Sequence, residues 1–260
     1  MKTPVAFDEA SHKVHDYSHL VARWRRIARG AGLTLRTFAE VGGFPVHYLR
    51  TRGDLEGGFY VSAGIHGDEP AGPAALALWA EAHLAALVRT GGLPLFILPC
   101  LNPWGLVENR RSDPKGRDLN RAFHRKVSPV RELMRLIADE RFALGVALHE
   151  DYDARGMYLY EINDAPPDLG AALLRVCRSK AMGIDPRRTI EEFPFKEGLL
   201  RRRVLPEDVT MQPEALAVYP RNTSHFITFE TPSEFGLAHR VRAHVRLLEA
   251  CVRHLQGTRR

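Results

Sequence analysis

The chain has 260 residues, 45% hydrophobic and 26% charged, which predicts one globular domain over residues 1–260 with a sizeable core. Its formal charge of +6 is dispersed, so the three consecutive arginines at 201–203 are read as a solvated face, with phosphate or nucleic-acid contact as the minority interpretation. The 3 cysteines are widely spaced, and the N-terminus has no secretory signal, so we expect a cytoplasmic protein. No apolar stretch reaches the roughly 18 uncharged residues that span a membrane. We therefore expect neither nucleic-acid nor membrane partners.

Helical periodicity and strand-like runs alternate along the chain. The helical segments are residues 16–29, 70–87, 129–141, 168–181 and 237–255. The strand segments are residues 33–40, 44–51, 59–65, 93–101, 143–148, 157–162 and 225–229. Residues 187–213 are charged and contain proline, and no structure is predicted for them. The order of the elements predicts an α/β three-layer sandwich with a central mixed β-sheet flanked by helices.

A His-x-x-Glu pair lies at a turn between a strand and a helix. His66 directly follows the strand segment 59–65, and Glu69 directly precedes Pro70, a residue that is tolerated at the first position of a helix. In open α/β sheets, turns at the carboxyl ends of strands form the ligand crevice. Both residues are zinc-ligand types, although such a pair also arises by chance. A catalytic zinc site needs a third ligand and an open fourth position.

His149 is the candidate for the third ligand. It follows the apolar strand segment 143–148, as His66 follows its own strand. If the two strands are parallel neighbours, both histidines project into one crevice. Most of the other histidines, including His47 and His244, fall on predicted helices or outer strands and are expected to be surface residues.

The long segment 102–121 has little hydrophobic periodicity and is predicted to be a loop. It contains the pair Arg110-Arg111 and the pair Asn120-Arg121. Because guanidinium groups hold carboxylates through paired hydrogen bonds, the loop suits capture of a substrate carboxylate, with a solvated loop as the alternative. Glu230 follows the last strand segment and is either solvated at the sheet edge or an acid or base in the crevice.

Taken in chain order, these motifs resemble the zinc carboxypeptidase family of the carboxypeptidase A type and its relatives, the succinylglutamate desuccinylases and aspartoacylases. The shared order begins with His-x-x-Glu at His66 and ends with a strand-end glutamate at Glu230. Between them lie Asn102-Pro103-Trp104-Gly105, the motif Asp118-Leu119-Asn120-Arg121-x-Phe123 with an arginine before it, and a strand-end histidine. Five ordered motifs are far more specific than any one of them.

The resemblance implies a metal site. His66, Glu69 and His149 match the three protein ligands of one zinc ion, Zn2+, with water in the fourth position. Asp118 matches the carboxylate that orients a ligand histidine and fixes its tautomer.

The resemblance also implies the residues that act on substrate. Arg111 matches the arginine that polarises the scissile carbonyl, although Arg110 is adjacent and could take this position. Asn120 and Arg121 match the pair that binds the terminal carboxylate of the substrate. Glu230 matches the general base and acid, so the implied reaction is attack of zinc-activated water on an amide carbonyl.

Two features depart from the family pattern. The family's mobile-loop tyrosine has no clear counterpart: Tyr219 is nearest in sequence, with Tyr152 and Tyr160 as alternatives. The acidic run Glu150-Asp151-Tyr152-Asp153 is also atypical. It either lies beside the metal, where it would favour a cationic substrate group or a second cation, or forms a solvated turn.

The substrate is expected to be a small peptide or an N-acyl amino acid. The chain is compact, like bacterial members that include murein-tripeptide amidases, and the sequence after Glu230 has no room for the β domain that desuccinylases and aspartoacylases commonly add. A metallocarboxypeptidase or murein-peptide amidase is therefore favoured over an N-acyl amino acid deacylase. A noncatalytic binder of peptide C-termini is the minor alternative. The side-chain pocket is expected within residues 161–219, and oligomeric state is not predicted.

Overall fold

A mixed β-sheet runs through the middle of the structure, a computed structural model that describes residues 7, 13–190, 192–203 and 212–258. The strands are β1 (Arg36–Val41), β2 (Phe44–Arg50), β3 (Gly58–Ala63), β4 (Leu95–Leu98), β5 (Phe142–Asp151), β6 (Tyr158–Asn163), β7 (Thr189–Ile190), β8 (Phe193–Pro194), β9 (Leu199–Arg202) and β10 (His225–Pro232). The helices are α1 (Tyr17–Gly30), α2 (Ala71–Thr90), α3 (Pro103–Glu108), α4 (Val130–Leu136), α5 (Gly170–Cys177), α6 (Glu214–Val218) and α7 (Leu237–Gly257), with a 3-10 turn at Leu119–Arg121.

Within the described residues the main sheet has eight strands in the order β1-β2-β4-β3-β5-β10-β6-β9. Strands β4, β3, β5 and β10 are parallel to one another, whereas β6 is antiparallel to β10. The strand before His66 and the strand that carries His149 are therefore parallel neighbours. This is the condition under which both histidines are predicted to project into one crevice. In register, Glu230 of β10 lies beside His149 on one side and beside Tyr158 on the other.

Helices cover both faces of the sheet, so the chain has the three layers that the sequence predicted. One face packs against α1, α2, α5 and α7, and its buried side chains include Trp24, Trp79, Val146, Leu174 and Leu248. The other face packs against α4 and α6, and its buried side chains include Tyr60, Phe96, Leu133, Val218 and Phe226. These apolar layers hold the carboxyl ends of the parallel strands in fixed positions, which is where the polar motifs lie.

Helix α2 is the most apolar helix of the core. By length and composition alone it could cross a membrane, but 67% of its apolar window is buried inside the fold. Its first residue, Ala71, donates its backbone N–H to the Glu150 carboxylate at 2.7 Å. A buried side chain from β5 therefore satisfies a backbone group at a helix end that has no capping side chain of its own.

Several element boundaries differ from the sequence predictions. Strand β5 continues to Asp151, so His149 lies within the strand rather than after it, and β10 likewise continues past Glu230. The predicted loop 102–121 contains α3, which begins where Asn102 caps it and Pro103 occupies the first turn. In the unassigned region 187–213, the described part forms the hairpin of β7 and β8 and the strand β9. The 3 cysteines are free and buried.

His244 corrects the expectation that it is a surface residue. It is 0% exposed, its Nε2 lies 3.1 Å from the Thr231 hydroxyl, and its ring packs edge-on against Phe229. Burial lowers the pKa of His244 to about 3, and the Arg240 charge acts in the same direction. The imidazole is therefore neutral in the folded state at pH values where it is protonated in the unfolded chain.

His244 should make the protein sensitive to mild acid. Because its folded pKa is depressed, the stability present above about pH 6.5 is lost as the pH falls, by about 2 kcal/mol at about pH 5. His244→Gln keeps a polar group near Thr231 but does not titrate. In chemical denaturation, the loss of unfolding free energy between about pH 7.5 and about pH 5 should be smaller for this variant by that amount. Equal losses in the two proteins would contradict the assignment.

Candidate metal centre

The turn that carries His66 and Glu69 is built from close backbone contacts. Gly64 has a φ of +63°, a conformation that favours glycine. A Cβ on Gly67 would lie 1.9 Å from the carbonyl carbon of Gly105, so only glycine fits there. Gly67 therefore has a structural role, because it lets the α3 segment approach the turn.

Asn102 connects this turn to the arginine-containing segment. Its backbone N–H donates to the Gly64 carbonyl at 2.8 Å, and its side-chain oxygen accepts from the Gly105 N–H at 3.0 Å. Its side-chain NH2 donates to the backbone carbonyls of Arg111 and Ser112 at 3.3 and 3.1 Å. This fully buried side chain thus fixes where the chain passes on its way to Arg111.

The donor atoms of His66, Glu69 and His149 converge within 4.8 Å of one another. Nδ1 of His66 lies 2.5 Å from Oε1 of Glu69, and Nδ1 of His149 lies 2.9 Å from Oε2 of the same carboxylate. All three side chains are buried. Among the residues that the structure describes, no other set of three histidine, cysteine or carboxylate side chains is close enough to share an ion.

Electrostatics at this triad favour a positive charge. Burial lowers the pKa of His66, but the Glu69 and Asp118 carboxylates outweigh it and raise the pKa to about 9. Burial also opposes charge on His149, yet Glu69 raises its pKa. Burial would raise the pKa of Glu69, but the two imidazoles hold it well below its usual range. Glu69 thus raises the pKa of both histidines, and a divalent cation can occupy the same site in place of the protons.

The triad lies at one end of a cavity of about 1010 Å³. One face of the sheet forms the cavity floor, and residues 213–216 with the 3-10 turn form a wall. Asn120, Arg121, Arg111 and Glu230 line this cavity together with the triad, whereas Arg110 does not and is exposed.

Asp118 contacts the triad on the side of the His66 ring that faces away from Glu69, and Arg111 contacts both Asp118 and Glu69. Asp118 Oδ1 lies 3.1 Å from Nε2 of His66, the ring nitrogen that faces away from Glu69. Its other oxygen accepts a hydrogen bond from Arg111 Nε at 3.1 Å. The Arg111 guanidinium also lies 3.5 Å from Glu69 and is partly exposed to the cavity. These contacts fix the His66 ring and place a cation beside the triad.

Asn120 and Arg121 lie on the wall formed by the 3-10 turn. The side-chain oxygen of Asn120 accepts the backbone N–H of Glu214 at 2.9 Å, which leaves the side-chain NH2 as the donor for a ligand. Arg121 donates to the Asn120 carbonyl at 3.3 Å. In the described part of the chain, Arg121 has no carboxylate within ion-pair distance. Both residues therefore offer hydrogen-bond donors to an anion in the cavity.

Glu230 is buried beside the triad. Burial raises its pKa to about 8, and the Glu69 and Asp151 carboxylates add to this, against the opposing charges of His149 and Arg111. A carboxyl group with a pKa near neutrality exchanges protons readily in the pH range of cellular chemistry. Its register beside His149 places that group next to the triad.

Tyr219 does not line the cavity. The structure buries it at the end of α6, in the apolar cluster that packs against the sheet. Of the alternatives, Tyr160 lines the cavity floor, and Tyr152 is an exposed side chain on its rim. Tyr158, which the sequence argument did not select, is buried in the floor and donates to Asp151 at 2.9 Å. Side chains alternate between the two faces of a strand, so the predicted strand 157–162 places Tyr158 and Tyr160 on the same face. This alternation is the sequence signal that identifies Tyr158.

The acidic run is divided between the two faces of β5. Glu150 is buried on the face away from the cavity floor, where it pairs with Arg240, and burial raises its pKa to about 7. Asp151 lies at the cavity and accepts from Arg187 at 3.0 Å. Only Tyr152 and Asp153 are exposed, so a solvated turn describes half of the run.

Comparisons with known proteins are consistent with this geometry. Residues 58–175 match the family model described as the succinylglutamate desuccinylase/aspartoacylase catalytic domain. No curated protein matches the chain.

The fold is similar to that of several solved structures. A candidate metallopeptidase from Shewanella amazonensis SB2B has a TM-score of 0.82 at 19% identity, covering 96% of this chain and 98% of that one. A metallo-carboxypeptidase from Burkholderia cenocepacia has a TM-score of 0.66 at 14% identity, covering 97% and 70%. A metallo-carboxypeptidase from Pseudomonas aeruginosa, in complex with (2-guanidinoethylmercapto)succinic acid, has a TM-score of 0.63 at 17% identity, covering 92% and 69%.

These matches support a hydrolase. The central sheet and its covering helices agree with the solved structures, and the His-Glu-His cluster provides side chains of the types that bind a metal ion. The resemblance predicted from the sequence is therefore confirmed: the chain has the fold of the metallo-carboxypeptidases, and its residues 58–175 match the succinylglutamate desuccinylase/aspartoacylase catalytic domain.

Proposed function

We propose that this protein is a zinc-dependent hydrolase that cleaves an amide bond adjacent to a free carboxylate, as a metallocarboxypeptidase or a murein-peptide amidase does. The observation that carries the proposal is the union of three groups in one cavity: the His66, Glu69 and His149 triad, Glu230 in register beside it, and the Asn120-Arg121 donors. Any one of these groups could occur in a protein of different activity, but together they provide for metal, proton transfer and carboxylate binding.

The donor set fits one zinc ion. His66, Glu69 and His149 would hold it through two imidazole nitrogens and a carboxylate, the ligand types and number of a catalytic zinc site. When bound, zinc supplies a Lewis acid that polarises a carbonyl and acidifies water. Asp118 keeps the proton on Nε2 of His66, so that Nδ1 is free to serve as the ligand atom.

The remaining residues would act on the substrate. Asn120 and Arg121 bind its carboxylate, and Arg111 places positive charge where the carbonyl oxygen becomes negative. Glu230 accepts a proton from the attacking water and delivers it to the leaving amine, for which a pKa near neutrality is well suited. The succinic acid derivative bound by the Pseudomonas aeruginosa carboxypeptidase supports a carboxylate-bearing ligand in such a cavity.

An N-acyl amino acid deacylase is the second candidate, because the matched family model describes a desuccinylase and aspartoacylase domain. Both reactions cleave an amide whose amine side carries a carboxylate, and they differ in the acyl group. We also propose that the protein works in the cytoplasm, where its free, buried cysteines stay reduced.

Zinc-loaded protein should release amino acids from N-blocked dipeptides with a free carboxylate, but not from the same dipeptides with an amidated C-terminus. Mass spectrometry of a panel of dipeptides, murein fragments and N-acyl amino acids identifies the acyl group. Arg121→Met should lower kcat/KM for free-carboxylate substrates by roughly 100-fold, because a charge-assisted contact is lost.

Arg131→Met is the matched control, since Arg131 pairs with its neighbour Glu132 on α4. It should leave kcat/KM unchanged. If the protein binds stoichiometric zinc but hydrolyses no member of the panel, the proposed enzymatic activity is wrong. Protein that takes up no zinc but retains peptide C-termini through Arg121 would instead be the noncatalytic binder.

A further inference from the structure

The net positive charge of the protein lies on one layer of helices. Helices α1, α2, α5 and α7 cover the face of the sheet away from the cavity and together form a basic layer with 10 arginines and 2 glutamates. Their formal charge is +8, whereas the whole chain carries +6, so the rest of the chain carries −2. The densest basic run of the sequence, residues 201–203, lies at β9 instead, where Arg201 pairs with Glu161 and Arg203 with Asp168.

The four helices of the basic layer lie side by side. Adjacent helices in the order α1, α2, α7, α5 pack against each other. Arg23 of α1 donates to Glu81 of α2 at 3.0 and 2.8 Å, and His83 of α2 lies 3.1 Å from Glu249 of α7. With about 8–10 Å between neighbouring helix axes, the layer is about 30 Å wide. The 21 residues of α7 make it about 31 Å long.

The outer side of α1 carries a stripe of arginines. Arg25, Arg26 and Arg29 recur at helical spacing and are exposed, whereas Trp24 and Ile27 are buried against the core. In the described part of the chain, none of these three arginines has a carboxylate within ion-pair distance. Their charges are therefore available to a partner.

The outer side of α7 is basic as well. Arg242 and Arg253 are exposed on it, and Arg246 is partly exposed between them. Arg246 donates to two backbone carbonyls at the end of α5 at 3.4 and 3.3 Å, which are neutral acceptors that do not cancel its charge. One carboxylate, Glu249, shares this side and lies 3.9 Å from Arg253. Arg175 of α5 is exposed on the same layer.

The layer suits a planar anionic partner. Guanidinium groups bind phosphate through paired hydrogen bonds. Readers of duplex nucleic acid insert a helix or a strand into a groove, and single-strand binders stack bases on aromatic side chains. Here the arginines are spread over helices that lie side by side. Within the described residues of these helices, Val176 is the one large hydrophobic side chain that is exposed. These features favour the phosphate headgroups of a membrane surface over nucleic acid.

We propose that the basic layer docks on membranes whose lipids are anionic. Because the layer offers no aromatic or long apolar anchor, the binding is electrostatic and does not insert the protein into the bilayer. The cavity lies on the other face of the sheet, so the docked protein keeps it open to solution and the inference is independent of the proposed function. It departs from the expectation of no membrane partner, which rested on the dispersal of charge along the sequence.

Vesicle co-sedimentation tests the surface. The protein should pellet with vesicles of phosphatidylcholine and phosphatidylserine, but not with vesicles of phosphatidylcholine alone. Raising NaCl from about 0.1 M to about 1 M should release it, because the Debye length falls from about 10 Å to about 3 Å. Absence of binding to the anionic vesicles at about 0.1 M NaCl would overturn the proposal, as would equal binding to the neutral vesicles.

A pair of charge-matched variants locates the surface. Arg26→Gln/Arg242→Gln should weaken vesicle binding by about 25-fold, since each arginine near an anionic membrane strengthens binding by about fivefold. Lys126→Gln/Arg135→Gln removes the same charge from exposed residues at and before α4, which covers the other face of the sheet, and should bind nearly as well as the unaltered protein. Equal losses in the two variants would show a response to net charge alone and would overturn the assignment of the surface.

Competition with nucleic acid tests the class of partner. A DNA duplex also presents phosphates, and its binding to a basic surface likewise weakens with salt. When duplex and accessible anionic lipid are present at equal phosphate concentration, the vesicles should retain the protein. Preferential binding to the duplex would overturn the choice of a membrane.

Discussion

Glu230→Gln should lower kcat of the zinc-loaded protein by about 100-fold or more while the zinc content stays the same. The carboxyl group lies beside His149 but is not one of the three converging ligands, so its removal should leave the metal in place. The neutral amide has nearly the same shape and cannot accept a proton. General acid–base catalysis contributes roughly 100- to 10,000-fold, which sets the size of the expected loss.

Two controls make this result interpretable. Metal analysis after dialysis should give the same zinc content for the unaltered protein and the variant. Glu234→Gln, on the turn after β10, removes a carboxylate four residues further along the chain and should change kcat little. If Glu230→Gln kept most of the activity, the general base would have to be another group. If it lost zinc, Glu230 would be a ligand and the metal site would need revision.

The sequence predicts the sheet well because its buried strands are apolar runs. Phe59 to Ala63 and Leu95 to Leu98 have no polar interruption apart from Ser62, and such segments are recognised by composition. The ends of β5 and β10 are not recognised in this way, because His149, Glu150 and Glu230 interrupt the apolar pattern there. Those polar residues belong to the candidate site or lie next to it, so the local rule fails where the candidate site is.

Long-range contacts explain what the sequence could not predict. Tyr219 is close to Glu230 in sequence, yet nothing local decides whether a side chain at the end of α6 faces the cavity or the core. Glu214 lines the cavity and accepts a hydrogen bond at 2.6 Å from Tyr60, a partner 154 positions away. Arg201 and Arg202 lie on opposite faces of the sheet because both belong to β9, a strand that the sequence did not reveal.

The motif order, by contrast, was predictive because each motif is short and its geometry is local. His66 and Glu69 share one turn, and Asp118 and Asn120 share another, so the spacing within each pair is set locally. His149 joins them only because β3 and β5 are parallel neighbours. That pairing is the one long-range assumption that the metal site required, and the fold contains it.

Glu150→Ala should destabilise the protein by about 3 kcal/mol and weaken zinc binding. Glu150 follows His149 on β5, and its carboxylate accepts the N–H of Ala71, two residues after Glu69. It thus holds Glu69 and His149, two proposed metal ligands from different elements, at a fixed separation. Removing one partner of a buried ion pair leaves Arg240 without its counter-charge, and this typically costs about 3–5 kcal/mol. Chemical denaturation measures the stability, and competition with a chromophoric chelator measures the zinc affinity.

The double variant Glu150→Met/Arg240→Met separates stability from positioning. Replacing both members of a buried pair by apolar residues is often neutral or stabilising, so the unfolding free energy should return toward that of the unaltered protein. Methionine cannot accept the Ala71 N–H, so the turn that carries Glu69 remains untethered. Zinc affinity should therefore stay roughly 10-fold below that of the unaltered protein, the loss typical of a disrupted support for a ligand. Recovery of zinc affinity together with stability would show that Glu150 contributes to folding alone, since the hydrogen bond to Ala71 would then be dispensable for the metal.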